Sequence, residues 1–315
     1  MKKQLTLTAL IALTTVFTAC GTVDEEPVPG EDTTDMEDTT EDSATDDIEM
    51  PDELIMGFVP SQDSDKIADT AAPLADRLSE ELGIPVDGRV MTNFTGLIEA
   101  MGNNQVQIGF LNPFGYVLAT DRYDNIDVIL KSIRNGEDSY RAQYTVRADS
   151  DIESIEDLEG RVWAFADIAS TSGFLFPAAQ LMNDYGVEDV NTHFSELIQA
   201  GSHDNAMLQL LEGNADVVTS FEDARDTIAD DYPEVYDELV QLDFTDPIPN
   251  DTISVDTTLP QELIDQIEEI FLSFNDDEEM IGIMQEVYTW TGIAEAEDSD
   301  YDIVRDVHRL FPEHF

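Results

Sequence analysis

The sequence predicts an α/β fold with parallel sheet strands, and three observations carry that prediction. Short apolar runs of strand length alternate with stretches whose apolar residues recur every three or four positions, the pattern of βαβ units. Glycines close several of the periodic stretches, as a left-handed residue closes a helix. Across 315 residues, hydrophobic side chains make up 42%, enough core for about two domains at roughly 100–200 residues each.

The elements follow in order. Leu54 to Pro60 reads as a buried strand running into a loop. Asp65 to Leu82 is a helix, with Ile67, Ala71, Leu74, Leu78 and Leu82 on one face and Gly83 as its stop. Pro85 to Met91 is a second strand, Asn93 to Met101 a short helix, Val106 to Leu111 a third strand, and Pro113 to Ala119 begins another helix. The alternation resumes with a strand at Arg141 to Val146, a helical turn at Ile155 to Leu158 and a strand at Arg161 to Ala166. A helix over Ser172 to Tyr185 stops at Gly186. Strands at Ser195 to Gln199 and Asp216 to Thr219 flank a helix over Asp204 to Glu212, stopped by Gly213. Thr252 to Val255 is extended, helices cover Pro260 to Phe274 and Glu278 to Tyr288, and a short helix over Tyr301 to Phe311 closes the chain.

The charge balance excludes whole classes of partner. Asp and Glu number 70 against 14 Lys and Arg, a formal charge of -56. A nucleic-acid binder needs a basic patch to neutralise phosphates, so no nucleic-acid partner is expected. Docking on anionic lipid through basic residues is excluded on the same ground. One cysteine rules out an intrachain disulfide and any multi-cysteine metal site, and no metal or cofactor is expected. An acidic, lysine-poor surface suits a high-salt or alkaline environment, where screening mutes self-repulsion. A melting temperature that fails to rise with salt would count against that reading.

The first residues read as an address. Lys2 and Lys3 form a basic start, and Leu5 to Phe17 is an apolar stretch shorter than the roughly 20 residues of a membrane span. Thr18-Ala19-Cys20-Gly21 then places the sole cysteine after small residues, with Phe17 where leucine is usual. This resembles a bacterial lipoprotein signal, with 1–19 removed and Cys20 lipidated. The alternative is an ordinary cleaved signal with an incidental cysteine, and the position of Cys20 favours lipidation. Residues 20–53 then form a tether, rich in Asp, Glu, Thr and Pro and without a basic residue. Such a stretch buries too little apolar surface to order itself. Its carboxylates lack the glycine and ligand spacing of a calcium loop.

The segments that carry chemistry stand at strand-to-helix junctions. At Asp167-Ile168-Ala169-Ser170-Thr171-Ser172-Gly173, hydroxyl residues open a helix. The N–H groups of a helix start lack partners, and the helix dipole adds partial positive charge there, so an oxyanion can sit without any lysine. Capping by Ser170 or Ser172 alone would also explain the run. At Gly201-Ser202-His203-Asp204, glycine permits a tight turn, Asp204 can cap the helix and His203 sits at the carboxyl end of a strand, where ligands collect in α/β sheets. His203 can donate to an anion; a surface histidine satisfied by water is the alternative. Thr92 to Gly96 and Gly109 to Tyr116 place aromatics at two further strand ends, and for Phe110 and Phe114 ordinary core packing is the preferred reading.

Together, Phe58-Val59-Pro60, Thr95 to Met101, Ile108 to Phe114, Ser170 to Pro177 and Gly201 to Asp204 give the chain a specific likeness. From about Ile55 onward it resembles the phosphate/phosphite/phosphonate substrate-binding proteins of ABC transporters. The resemblance implies a type II periplasmic-binding-protein fold, with two α/β lobes, a two-crossing hinge and the ligand in the cleft. Lobe one is expected at 54–143 plus 249–315 and lobe two at 144–248, with crossings near Tyr144 to Val146 and Pro247 to Asn250. It implies that Ser170, Thr171, Ser172 and His203 hold the ligand's oxygens, and Asp204 is expected among the ligand-binding residues. Tyr140 matches a cleft tyrosine, and Phe94 stands where relatives often carry tyrosine. Phe221 falls near the position of a carboxylate that binds an amine tail in some relatives, which leans toward a small oxyanion. The expected partners are a small phosphorus oxyanion, an ABC transporter permease and, through Cys20, the outer face of the cell membrane. The protein itself is expected to be a monomer.

Rival functions leave weaker traces. No Gly-x-Ser-x-Gly elbow, His-Glu-x-x-His or phosphate-binding P-loop occurs, so no enzyme activity is expected. A binding protein for a sulfonate or a thiamine-precursor pyrimidine, or a sensor lipoprotein of the same fold, remains an alternative, because one fold hosts many ligands.

Overall fold

The computed structural model describes residues 50–311. The expected signal at 1–19, Cys20 and nearly all of the tether lie outside the described residues. Eleven strands are described: β1 (Leu54–Phe58), β2 (Val86–Val90), β3 (Ile108–Leu111), β4 (Ile126–Ile133), β5 (Ser139–Arg147), β6 (Val162–Phe165), β7 (Glu196–Gln199), β8 (Val217–Phe221), β9 (Leu239–Pro249), β10 (Thr252–Asp256) and β11 (Gly292–Glu295). The helices among these residues are α1 (Ser64–Leu82), α2 (Phe94–Gly102), α3 (Pro113–Arg122), α4 (Phe176–Asp184), α5 (Val190–His193), α6 (His203–Leu211), α7 (Val235–Glu238), α8 (Gln261–Ser273), α9 (Glu278–Tyr288) and α10 (Asp302–His308).

Local rules explain the first units. In α1, Ile67, Ala71, Leu74 and Leu78 are buried along one face, Asp63 caps the start by accepting from Lys66 N–H at 2.9 Å, and Gly83 ends it at φ 68°. Helices link neighbouring strands of like direction, and β1 pairs in parallel with β2 and β3, as β6 does with β7 and β8. Two sheets result, ordered β11-β4-β10-β3-β1-β2 and β7-β6-β8-β5-β9.

The sheets are mixed rather than purely parallel. β10 runs antiparallel to β3 and β4, and β5 runs antiparallel to β8 and β9. These strands enter from the other sheet instead of returning through a crossover helix, so nothing holds them to the parallel direction. β9 pairs with β5 alone, and the edge tolerates Pro247 and Pro249, which cannot donate to a ladder.

Two adjacent segments carry the chain between the sheets. From β4 to β5 it turns through Arg134-Asn135-Gly136-Glu137, with Asn135 at φ 53° and Gly136 at φ 83°, the two left-handed residues of a tight hairpin turn. It returns from β9 to β10 through Asn250 and Asp251. Asn250 Nδ2 donates to Ser132 O at 3.0 Å and Glu137 O at 2.9 Å, and Ser132 N–H donates to Asp251 O at 2.9 Å. Tyr144 to Val146, expected at a crossing, lie inside β5 and pair with β8 and β9.

Aromatic clusters anchor each sheet. Phe110 stacks on Phe58 at 4.5 Å and on Trp290 at 5.5 Å, while Trp163 stacks on Phe174 at 5.4 Å beside Phe165 and Phe194. Such pairs add about 0.5–1.5 kcal/mol each beyond the area they bury.

Candidate functional site

β6 ends at Phe165, and the chain reaches the helix that continues as α4 through a wide turn. Leu175 N–H reaches back to Ser170 O at 3.1 Å and Phe176 N–H to Thr171 O, each spanning five residues. Such widened turns recur at functional sites. Ser170 caps the turn, its Oγ accepting from Gly173 N–H at 3.0 Å. A Cβ at Gly173 would lie 2.8 Å from that oxygen, so glycine is what lets Ser170 close over the helix start.

The expected hydroxyl run divides its labour. Ser170 and Ser172 are buried and line a cavity, whereas Thr171 does not line it. Thr171 Oγ1 accepts from Asn112 Nδ2 at 2.8 Å and Phe114 N–H at 2.9 Å, and Asn112 Nδ2 also donates to Ala169 O at 2.9 Å. The middle hydroxyl therefore fastens the start of α3 to the five-stranded half.

His203 opens α6 after Gly201, whose φ of 90° suits glycine. Ser202, not Asp204, is the cap: its backbone is extended, and its Oγ accepts from Asn205 N–H at 3.4 Å. Asp204, expected among the ligand-binding residues, does not line the cavity: it lies in the first turn and faces a separate, open depression with Gly201, Ser202 and Asp63. His203 lines the cavity itself. Its backbone N–H donates to Ser61 O at 2.9 Å, its Nε2 lies 3.4 Å from Ser170 Oγ, and its Nδ1 has no protein partner. Burial and the nearby Arg134 charge push its pKa down to about 3, so the ring is neutral across the physiological range.

The opposite wall has no local sequence pattern. Arg134, Asp251, Tyr288, Trp290, Ser61 and Asn112 line the same cavity, together with the expected Tyr140, Phe94 and Phe221. Arg134 Nη2 pairs with Asp251 Oδ2, its guanidinium stands 5.0 Å above the Tyr140 ring, and its Nε has no protein partner. Burial raises the Asp251 carboxyl, and the Arg134 charge opposes that shift. Burial also holds Tyr140 protonated, with its hydroxyl beside Ser172 and Thr171. Phe221 meets His203 edge-on at 4.9 Å, so the position read as a missing carboxylate is an apolar wall. Phe110 belongs to the aromatic core, as preferred, and also reaches the cavity.

The cavity measures about 40 Å³. One water needs roughly 10–15 Å³ on this measure, so the space suits a few waters or one small tetrahedral anion. Hydroxyls, an imidazole and a guanidinium converge on it from both sheets.

Two α/β halves joined by two adjacent crossings, with a cavity that both halves line, define a bilobal solute-binding protein of the periplasmic-binding-protein fold. Known proteins that it resembles agree in kind. The chain is 26% identical over 277 residues to the phosphate-import protein PhnD of Mycolicibacterium smegmatis, covering 82% of this chain and 85% of that one. In structure it is similar to PhnD1 of Prochlorococcus marinus in complex with methylphosphonate, with a TM-score of 0.74, 18% identity, and 82% and 98% of the two chains covered. A binding protein component of an ABC phosphonate transporter from Pseudomonas aeruginosa gives a TM-score of 0.75 at 19% identity, with 83% and 87% covered. Residues 56–301 match the family described as ABC transporter, phosphonate, periplasmic substrate-binding protein, and the chain belongs to that family. It is the solute-binding component of an ABC importer and works outside the cytoplasm. Among the described residues no helix is long and apolar enough to cross a membrane.

Proposed function

We propose that the protein captures a small phosphorus oxyanion, a phosphonate, phosphite or phosphate, and presents it to its permease. One observation carries this reading: a cavity of about 40 Å³ ringed by Ser170, Ser172, His203, Tyr140 and Arg134. Those groups supply donors from several directions, as tetrahedral oxygens require. The mycobacterial relative is a phosphate-import protein and the Prochlorococcus structure holds methylphosphonate, which supports the ligand class. Thr171 acts as a fastener between the lobes, and Asp204 stands at the mouth. The lobes are the residues of the two sheets, dividing at 134–138 and 249–251, and they close by hinge motion at those segments. Cys20 carries the lipid, 21–53 spaces the body from the membrane, and the body acts as a monomer.

No chemistry is assigned to it. Ser170 and His203 adjoin, but no carboxylate orients the imidazole Nδ1, and a nucleophile–base pair needs that third group. The test is thermal unfolding of the protein against phosphate, phosphite, methylphosphonate, 2-aminoethylphosphonate, sulfate and a sulfonate. A ligand at 100 times its Kd stabilises by about 2.7 kcal/mol, which a melt resolves. A shift with a phosphorus oxyanion is expected. A shift with the sulfonate alone would replace the ligand class and leave the fold and family in place.

A further inference from the structure

The fixed charges of the cavity cancel. Of its lining residues, only Arg134 and Asp251 carry formal charge, and they are paired to each other. One comes from each crossing between the sheets, so the pair is held by the same segments that Asn250 staples together. Every other titratable group facing the pair is neutral. Tyr140 and Tyr288 line the cavity and Tyr301 packs behind it, all three with raised pKa values, and His203 is neutral through burial. Lys131, on β4 nearby, is taken by Asp138 and Asp300 outside the cavity. Arg134 is the only lining residue that can offer a charged donor, and its Nε has no protein partner.

An anion entering this space meets one cation already balanced by a carboxylate. Backbone and hydroxyl dipoles can carry one negative charge, as they do at helix starts. A second negative charge would be buried without a counter-charge and close to Asp251, which is costly in low dielectric. We propose that the Arg134–Asp251 pair makes this a site for the singly charged, proton-bearing form of the oxyanion, with the Arg134 guanidinium as its charged contact and Asp251 excluding dianions. This rests on the phosphorus-oxyanion reading of the cavity and adds its charge state.

The test is calorimetric titration of the intact protein with phosphite and methylphosphonate from pH 5 to pH 9, with sulfate as a permanent dianion. For the wild type, affinity is expected to fall about tenfold per pH unit above each ligand's second ionisation, and sulfate to show no binding. Asp251→Asn is expected to flatten that slope and to make sulfate binding measurable; Arg134→Gln is expected to weaken every anion at least thirtyfold. Wild-type affinity that stays level or rises through the second ionisation overturns the proposal, and needs no variant to fold. A slope that survives in Asp251→Asn and vanishes in His203→Asn assigns the proton to the imidazole and overturns it as well. Binding of phosphite or methylphosphonate with a level profile defeats only the charge-state inference; no binding of either at any pH defeats the ligand reading with it.

Discussion

The two walls of the cavity are built on opposite plans. One is nearly continuous in sequence: Ser170 to Ser172 at a helix start, with His203 brought beside Ser170 at 3.4 Å. It offers neutral dipoles, positioned by caps and a widened turn. The other is assembled from Arg134, Asp251, Tyr288 and Trp290, which meet only because two crossings and the end of α9 converge. It offers formal charge, held in a pair. The first plan gives direction without net charge and the second gives charge without local sequence pattern. An acidic chain can thus hold an anion with one balanced arginine and no lysine at the site.

The largest expected effect tests what fastens the walls. Thr171→Val keeps the shape and removes the acceptor shared by Asn112 Nδ2 and Phe114 N–H. Asn112 retains Ala169 O, and the Phe114 N–H loses the Thr171 Oγ1 acceptor. Each hydrogen bond contributes about 0.5–1.5 kcal/mol, and the variant removes both. Both bonds join the halves that line the cavity, so anion affinity should drop roughly 10- to 100-fold. Calorimetry on wild type and variant measures it, and unchanged affinity would mean the walls are joined by other contacts.

A smaller effect probes the neutral wall alone. Ser170→Ala removes both the cap on Gly173 and the contact to His203, and a lost cap costs about 0.5–2 kcal/mol. Gly173→Ala should mimic it in part, because the new methyl would press on Ser170 Oγ. Both should weaken binding near tenfold and lower the melting temperature by a few degrees. If Gly173→Ala binds like wild type, the position of Ser170 is not what the neutral wall depends on.

The same contrast explains what was legible beforehand. The βαβ units, the stops at Gly83, Gly186 and Gly213, and the Ser170 and His203 junctions are local patterns, readable from neighbours in the chain. The resemblance then gave those junctions their roles. β4 is harder to read because its alternation is blurred: Val128, Ile129 and Leu130 form an apolar run between Asp127 and Lys131, in a stretch flanked by charge. Without β4 the Asn135-Gly136 turn had no hairpin to close, although that dipeptide is a strong turn signal, and Arg134 lost its address. Asp251 was one of 70 acidic residues, so composition hid it. The widened turn at Thr171 has no periodic signature, and the antiparallel strands follow from crossings that only the tertiary path defines.

Acid should separate the walls again. His203 has a folded pKa of about 3, below its ordinary value of about 6.5. The unfolded chain therefore takes up that proton first as pH falls. The stability from keeping the ring neutral is complete above about pH 6.5 and is lost progressively toward pH 3, at up to ~1.4 kcal/mol per pH unit. Asp251, whose carboxyl is raised, acts with the opposite sign and gains stability as pH falls. Denaturant melts between pH 7 and pH 4 should thus show a steeper loss for wild type than for His203→Asn. Parallel slopes would mean the imidazole is solvated rather than sealed.

Salt should do least, and its direction is the sharpest part of the comparison. Exposed charges are screened within about 10 Å at 0.1 M salt, whereas buried ones are screened much less. The dipolar wall has no net charge to screen, and the Arg134–Asp251 pair is largely buried. Long-range repulsion between the anion and a chain of formal charge -56 is exposed, and salt relieves it, which speeds association. Affinity between 0.05 and 0.5 M salt should therefore change by no more than about threefold and should rise rather than fall. A site built from surface lysines would weaken with salt. A steep fall in affinity would place an exposed cation at the ligand, and the division between a dipolar wall and a sealed, self-balanced one would no longer describe this cavity.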